Sequence, residues 1–369
     1  MFLSKLAVKC FRFVNLFFKP LKLKKKVAII SRQADEPTLD IKILNEHLNN
    51  RKIDTVVLTH TLKKSISGLI AYALHMMAQM YHIATSKVVI IDGYCILVSI
   101  LPKKPGQEII QMWHALGAIK KFGWQNADSP DGNGRDVAEV MCMHRNYDYV
   151  FSPSSITGEY FAEAFRTPQE KIVGYGLPRI DYLRAKDEEL TARIVSDYPS
   201  CESKINVLYV PTFRKNAELD LEKLIAGFDF ERMNIIVKKH FLDKGDYSWA
   251  EKAGAIVDTK YTSMEWLKNC TKVITDYSAI AFEAAVLDRE IYIYQPDVSA
   301  YSNNVGLNVD LTAEAIGKYV CRSENELFER LSEPYSTEAV QTFRNKYIEI
   351  DIDHCTEDIC DFVSELLAK

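Results

Sequence analysis

The stretch Lys272-Val273-Ile274-Thr275-Asp276-Tyr277-Ser278-Ala279-Ile280-Ala281-Phe282-Glu283-Ala284-Ala285-Val286-Leu287 runs from an apolar strand, through hydroxyl and carboxylate residues, into strong helix formers. Strands that hand over to helices in this way build parallel α/β sheets. The junction also sets hydroxyls and free backbone N–H groups at one helix N-terminus, which suits an anion such as phosphate. A plain helix N-cap fits the same residues. No glycine-rich fingerprint is present, so this is not a dinucleotide loop of the usual kind.

Working outward, the pattern predicts further strands at 206–210, 234–238, 255–257 and 290–294 in the same half of the chain. A break rich in charge and turn residues falls at about 187–203. Before it, strands are predicted at 26–31, 55–58, 88–92, 108–113, 149–153 and 172–174, with helices at 39–49 and 65–81. A chain of 369 residues exceeds what one core usually supports. The expected organisation is therefore two consecutive doubly wound halves, 26–190 and 204–322, facing a cleft, followed by helices over 323–369. Ligands of such sheets bind beyond the carboxyl ends of the strands.

The polar residues of interest lie at those ends. A strand finishes at Trp113-His114, and Gly117, Lys120, Lys121 and Gly123 follow. Histidine suits proton abstraction near neutral pH. A structural histidine bonded to a neighbouring carbonyl fits the position as well. The strand over 206–210 delivers Pro211, Thr212, Phe213, Arg214 and Lys215, and a guanidinium binds phosphate bidentately. The strand over 234–238 ends in Lys238, Lys239 and His240, groups able to contact a phosphate or stabilise charge as a bond breaks. In Gly174-Tyr175-Gly176-Leu177-Pro178-Arg179-Ile180-Asp181, Arg179 and Asp181 are placed to pair and hold a loop. His144, Arg145 and Asn146 form a further polar cluster, and Ser152, Ser154 and Ser155 are placed to cap the next helix.

Composition narrows the function. Hydrophobic residues make up 47% and charged residues 26%, as in ordinary folded proteins. Residues 1–26 carry eight basic side chains and no acidic one, so a net charge of −4 leaves the remainder at about −12. That sign disfavours a nucleic-acid-binding body. The eight cysteines show no CxxC pair and no zinc spacing, pointing to free thiols and no structural metal. No paired carboxylates of DxD type, P-loop, GxSxG elbow or GxGxxG motif occur. Cations, hydroxyls and helix N-termini fit handling of a diphosphate without a metal or other cofactor.

The segment 1–25 stands apart. Phe2, Leu6, Phe11, Phe13, Leu16, Phe17 and Phe18 alternate with Lys5, Lys9, Arg12 and Lys19 at helical spacing. Such an amphipathic helix with a polybasic tail suits an anionic membrane interface, and a basic helix packed on an acidic body is the alternative. Its charges interrupt the apolar core that a signal peptide or spanning helix needs.

Four segments, in this order and spacing, make the chain resemble the CDP-glycerol glycerophosphotransferases of bacterial teichoic acid synthesis. They are Trp113-His114 to Lys120-Lys121, Gly174 to Asp181, Pro211-Thr212-Phe213-Arg214, and Thr275-Asp276-Tyr277-Ser278 with Phe282. The closing Tyr292-Ile293-Tyr294-Gln295-Pro296-Asp297 and Tyr301 resemble that family too, whereas Ala115, Phe241 and Ala279 depart from its usual pattern. The resemblance implies a GT-B-like enzyme, peripheral at the cytoplasmic face of the cell membrane. It would pass glycerol phosphate, or another polyol phosphate, from a CDP-activated donor to a lipid-linked acceptor and release CMP. It implies catalytic roles for His114, as general base, and for His240 at the donor phosphates. Thr212, Arg214, Thr275, Asp276 and Ser278 would hold the donor, with Glu283 reaching the ribose, and Lys120, Lys121 and Arg179 would support the acceptor or its loops. A nucleotide-sugar glycosyltransferase and a non-catalytic membrane-associated binding protein are the alternatives.

Overall fold

A computed structural model describes residues 1–63, 65–130, 132, 134–212, 221–239 and 245–369. The chain forms two compact units, Met1–Asp181 with Ile348–Lys369, and Tyr182–Tyr347.

The first unit is built on a parallel sheet of β1 (Lys24–Ser31), β2 (Asp54–Thr59), β3 (Ser86–Ile91), β4 (Glu108–Gln111), β5 (Tyr149–Ser152) and β6 (Ile172–Gly174). The strand order is β2-β1-β3-β4-β5-β6. β1 and β3 sit centrally, and Val27, Ile29, Ile30, Val88, Val89, Ile90 and Ile91 are all buried, as both-face coverage of a parallel sheet requires. Because β1 lies between β2 and β3, the order reverses there and opens a crevice at the carboxyl ends of β1 and β3. Ser154 caps the helix Ser155–Phe165 as expected, accepting from the Thr157 N–H at 3.1 Å.

The second unit holds a parallel sheet of β7 (Ile205–Tyr209), β8 (Met233–Val237), β9 (Ile256–Val257), β10 (Lys272–Thr275), β11 (Glu290–Tyr294) and β12 (Val320–Cys321). Its order, β12-β11-β10-β7-β8-β9, reverses between β7 and β10. The residues after those two strands, from Val210 and from Asp276, therefore share one switch point. β12 escapes the sequence pattern because two residues carry no periodicity.

The division differs from the sequence expectation at both ends. The 323–369 segment does not stay together. Helices Glu324–Ser332 and Thr337–Tyr347 pack in the second unit, where Phe343 stacks on Phe282 with centroids 5.4 Å apart. Helix Cys355–Ala368 belongs to the first unit, burying Ile359, Cys360, Val363 and Leu366 along one face. Asp181 caps it, accepting from the N–H groups of Cys355 (3.1 Å) and Thr356 (2.7 Å). Asp181 therefore does not pair with Arg179, whose carboxylate partner is Asp40. Lys24, Lys25 and Lys26 open β1 rather than extending a tail. Lys26 is buried, with Nζ donating to Thr85 Oγ1 at 2.8 Å.

Candidate active site

In the first unit β4 ends at Gln111, and Trp113 adopts φ +63°, a left-handed conformation that is strained for a bulky residue. The strain is held from two sides. The Trp113 N–H donates to Gln111 Oε1 at 3.0 Å, and its ring stacks on Phe122 at 4.7 Å and meets Phe165 edge-on at 5.1 Å. The turn brings His114 to the carboxyl end of β3, where its Nδ1 lies 2.7 Å from the carbonyl oxygen of Asp92. A carbonyl only accepts, so Nδ1 carries the hydrogen and Nε2 presents a lone pair. Gln33 Nε2 is placed 3.2 Å from the same Nδ1; a protonated Nδ1 pairs with the oxygen of that amide rather than its nitrogen.

His114 is partly exposed. Burial of the ring lowers its pKa from the ordinary 6.5, the bond to the Asp92 carbonyl opposes this, and the positive charges of Arg179 and Lys120 reinforce it. The imidazole is therefore neutral at pH 7 and able to take a proton at Nε2. The structural reading of a strand-end histidine is met, with Nδ1 tied to a carbonyl, and that bond leaves Nε2 as the unprotonated nitrogen.

Arg179 sits at the start of helix Arg179–Arg184 and is locked to the buried Asp40. Its backbone N–H reaches Oδ1 at 2.8 Å and its Nε reaches Oδ2 at 2.9 Å, with a further bond from Nη2 to Oδ2. Lys120 is partly exposed and Lys121 exposed. The intervening turn depends on Gly123, at φ +59°, where a Cβ would stand 2.3 Å from the Ala164 carbonyl oxygen. His144 is not part of an open polar cluster. It is buried among Trp113, Tyr94 and Phe165, bonded through Nδ1 to the Tyr147 hydroxyl at 2.9 Å, and burial pushes its pKa down to about 3. Asn146 is likewise structural, its amide donating to the carbonyls of Val98 (2.8 Å) and Leu101 (2.9 Å).

In the second unit Thr275 and Asp276 are buried, 1% and 2% exposed, and both tie β10 to the loop after β7. Thr275 Oγ1 donates to the Val210 carbonyl at 2.8 Å, and the Asp276 carboxylate accepts from the Thr212 N–H at 2.9 and 3.1 Å and from the Tyr277 N–H at 2.6 Å. The helix is Ile280–Val286, with Ala279 at the cap position and no side-chain cap. Ser278 is partly exposed, and its Oγ accepts from the Ile280 N–H at a long 3.4 Å. Glu283 is buried within that helix. Tyr277 stacks flat on Tyr301 with centroids 3.8 Å apart. Lys238 is structural: it is buried, its Nζ donating to Asp258 Oδ2 at 2.9 Å and to the Asp258 carbonyl at 2.7 Å. Arg214 and His240 lie outside the described residues.

Sequence reasoning passed over Gln33 and Asp92, which hold His114. The signal for Asp92 was present, as an acidic residue closing an unbroken apolar strand before a glycine.

The sequence profile of the CDP-Glycerol:Poly(glycerophosphate) glycerophosphotransferase family matches residues 12–365. The chain belongs to that family. It is a transferase of the glycerophosphotransferase class, and the match decides for that class over a nucleotide-sugar glycosyltransferase. It is similar to the teichoic acid ribitol-phosphate primase of Bacillus spizizenii, 27% identical over 358 residues covering 93% of this chain and 92% of that one. It is also similar to the teichoic acid glycerol-phosphate primase of Bacillus subtilis, 26% identical over 303 residues and covering 80% and 78%. Among solved structures, that of the wall teichoic acid polymerase TagF superposes with a TM-score of 0.75 at 19% identity, covering 99% of this chain and 96% of that one. The family member thus has the α/β, GT-B-like fold expected.

Proposed function

We propose that this enzyme transfers a polyol phosphate from a CDP-activated polyol to a hydroxyl of a lipid-linked acceptor in teichoic-acid-type polymer synthesis, releasing CMP. The observation that carries the reading is His114, neutral and held through Nδ1 with Nε2 free. The acceptor hydroxyl gives its proton to Nε2 as its oxygen bonds to the phosphorus bearing the polyol. The bond from that phosphorus to the CMP oxygen breaks, and CMP leaves with the electron pair. Positioning and charge stabilisation supply most of the acceleration in such a displacement. The donor is assigned to the β7–β10 switch point, with Ser278 and the residues tied there by Thr275 and Asp276. Protein groups, rather than a resident metal, neutralise the diphosphate. CDP-glycerol is the donor named for the family, and the TagF polymerase has been solved with CDPG. Either glycerol or ribitol phosphate fits the relatives, since primases for both are similar to this chain. The test is CMP release from CDP-glycerol and CDP-ribitol with a lipid primer, with and without EDTA. Selective use of a UDP-linked sugar instead would overturn the proposal.

The acceptor's lipid places the reaction at a membrane, and an anionic, cytoplasm-facing surface is the second part of the proposal. Among the described residues no helix is long and apolar enough to cross a membrane. Helix Phe2–Phe18 packs Val8, Phe11, Val14 and Phe18 into the first unit's core while Phe2, Leu6, Phe13, Leu16 and Phe17 remain exposed. Helix Ile66–Thr85, packed on the same core through Tyr72, Met76 and Met80, adds an exposed stripe of Ile66, Leu69, Ile70, Leu74, Met77 and Tyr81 at helical spacing. Two apolar faces, one on a helix that carries Lys5 and Lys9 and is followed by Lys19, favour seating on anionic lipid. Phe17→Asp and Leu74→Asp are each expected to lower cosedimentation with anionic vesicles about tenfold or more. Burying one such side chain is worth about 1.5–3 kcal/mol, and 1.4 kcal/mol is tenfold. Unchanged cosedimentation in both would remove these faces from membrane binding.

A further inference from the structure

The crevice where the first sheet reverses its strand order contains a cavity of about 220 Å³. Arg32 and Gln33, which follow β1, and Asp92, Gly93 and Tyr94, which follow β3, line it. Asp92 is 2% exposed, yet its carboxylate is only half satisfied. Oδ2 accepts from Ser31 Oγ at 2.7 Å, while the buried Oδ1 has no hydrogen-bond partner. A buried carboxylate oxygen without a donor is costly and calls for a partner. What completes it must be a donor that fits beside a guanidinium. A metal cation would meet the positive charge of Arg32, whose Nη1 reaches the Tyr94 carbonyl at 3.3 Å. A neutral hydroxyl meets no such repulsion, and a phosphate on the same molecule would match the guanidinium.

Size and position narrow the ligand further. The cavity is smaller than the ~300–1,000 Å³ of sites for drug-sized molecules. That size suits a small polyol phosphate. Two of its lining residues also hold His114 through the tied nitrogen: the Asp92 carbonyl oxygen lies 2.7 Å and Gln33 Nε2 3.2 Å from Nδ1.

We infer that this cavity seats the terminal polyol phosphate of the acceptor, Asp92 accepting a hydrogen bond from a hydroxyl next to the one His114 deprotonates and Arg32 binding the adjoining phosphate. The assignment rests on the proposed phosphotransfer and goes beyond it by naming residues that select the acceptor. Oδ1 of Asp92 discriminates an acceptor carrying a vicinal hydroxyl from a simple alcohol, which would leave that oxygen unpaired.

The test uses the full chain in two formats. In steady-state kinetics, Asp92→Asn is expected to raise the acceptor KM about ten- to a hundredfold, while the CDP-polyol KM stays unchanged. In calorimetry or ligand-observed NMR without donor, glycerol 3-phosphate is expected to bind the wild type and to weaken in both Asp92→Asn and Arg32→Ala. Free glycerol should lose binding in Asp92→Asn alone. Donor and acceptor KM values moving in step would mean a merely structural Asp92 and would overturn the inference, as would equal binding of glycerol 3-phosphate to wild type and Asp92→Asn. If no CDP-polyol is turned over by the wild type but the binding pattern holds, the phosphotransfer reading falls and the polyol phosphate site stands. Arg32→Ala keeps the inference testable through the phosphate if Asp92→Asn does not fold.

Discussion

His114→Ala is expected to lower turnover by about 10²–10⁴-fold, the range for losing a positioned general base. The fold and the binding of CDP-polyol should survive, because among the described residues the ring bonds to the Asp92 carbonyl and the Gln33 amide at the end of one turn. The pH profile gives an independent check. Burial holds the imidazole pKa below 6.5, so activity is expected to be level through neutrality and to fall on the acid side with a midpoint below 6.5. That limb should vanish in the residual activity of the variant. An alanine variant with wild-type turnover, or an acid limb centred well above 6.5, would remove His114 from the base role.

Asp92→Asn is expected to make the protein more stable near neutral pH while impairing its use of acceptor. Burial, only partly offset by the bond from Ser31, raises the Asp92 carboxyl from 3.8 to about 6, and the nearby Asp40 charge adds to the rise. A carboxyl whose folded-state pKa is raised favours the folded protein fully below 3.8. That contribution is lost as pH rises through about 6, and the ionised form is then a constant burden. At 1.36 kcal/mol per pKa unit the burden reaches about 3 kcal/mol at pH 7 and above. Removing the charge should recover most of it at pH 7.5, and the advantage should shrink between pH 6 and 4. Denaturant unfolding of wild type and variant across that range measures it. An asparagine variant less stable than wild type at pH 7.5 would show that the carboxylate is a structural tie. A charge kept at such an expense is what a site selected for binding rather than for stability retains.

Eleven of the twelve strands among the described residues could be read from the chain because apolar runs with polar ends recur at βαβ spacing, a local property of sequence. His114 could be singled out as a candidate for the same reason: strand ends in parallel sheets are where ligands bind. Its proton could not, since the tautomer depends on the carbonyl of Asp92, 22 positions away. Asp92 looked like one more strand terminus, because neither its orphan oxygen nor its raised pKa exists until β1 and β3 lie side by side. His144, read as part of a polar cluster, and Lys238, read as a basic strand end, proved buried and satisfied, since burial is set by elements far along the chain.

The helix Ile66–Thr85 makes the same point about surfaces. Its helical character follows from residue type, but its apolar stripe faced outward only once the opposite face had packed on the core. Residues 272–287 announced an α/β unit and a polar strand end unaided, because strand and helix periods are local and polar residues punctuate them. That Thr275 and Asp276 brace the loop after β7, leaving Ser278 as the partly exposed member, came from pairing across 64 or more residues. Local patterns specify which elements form. Which polar atoms remain for chemistry depends on the hydrogen bonds that distant segments have already taken up.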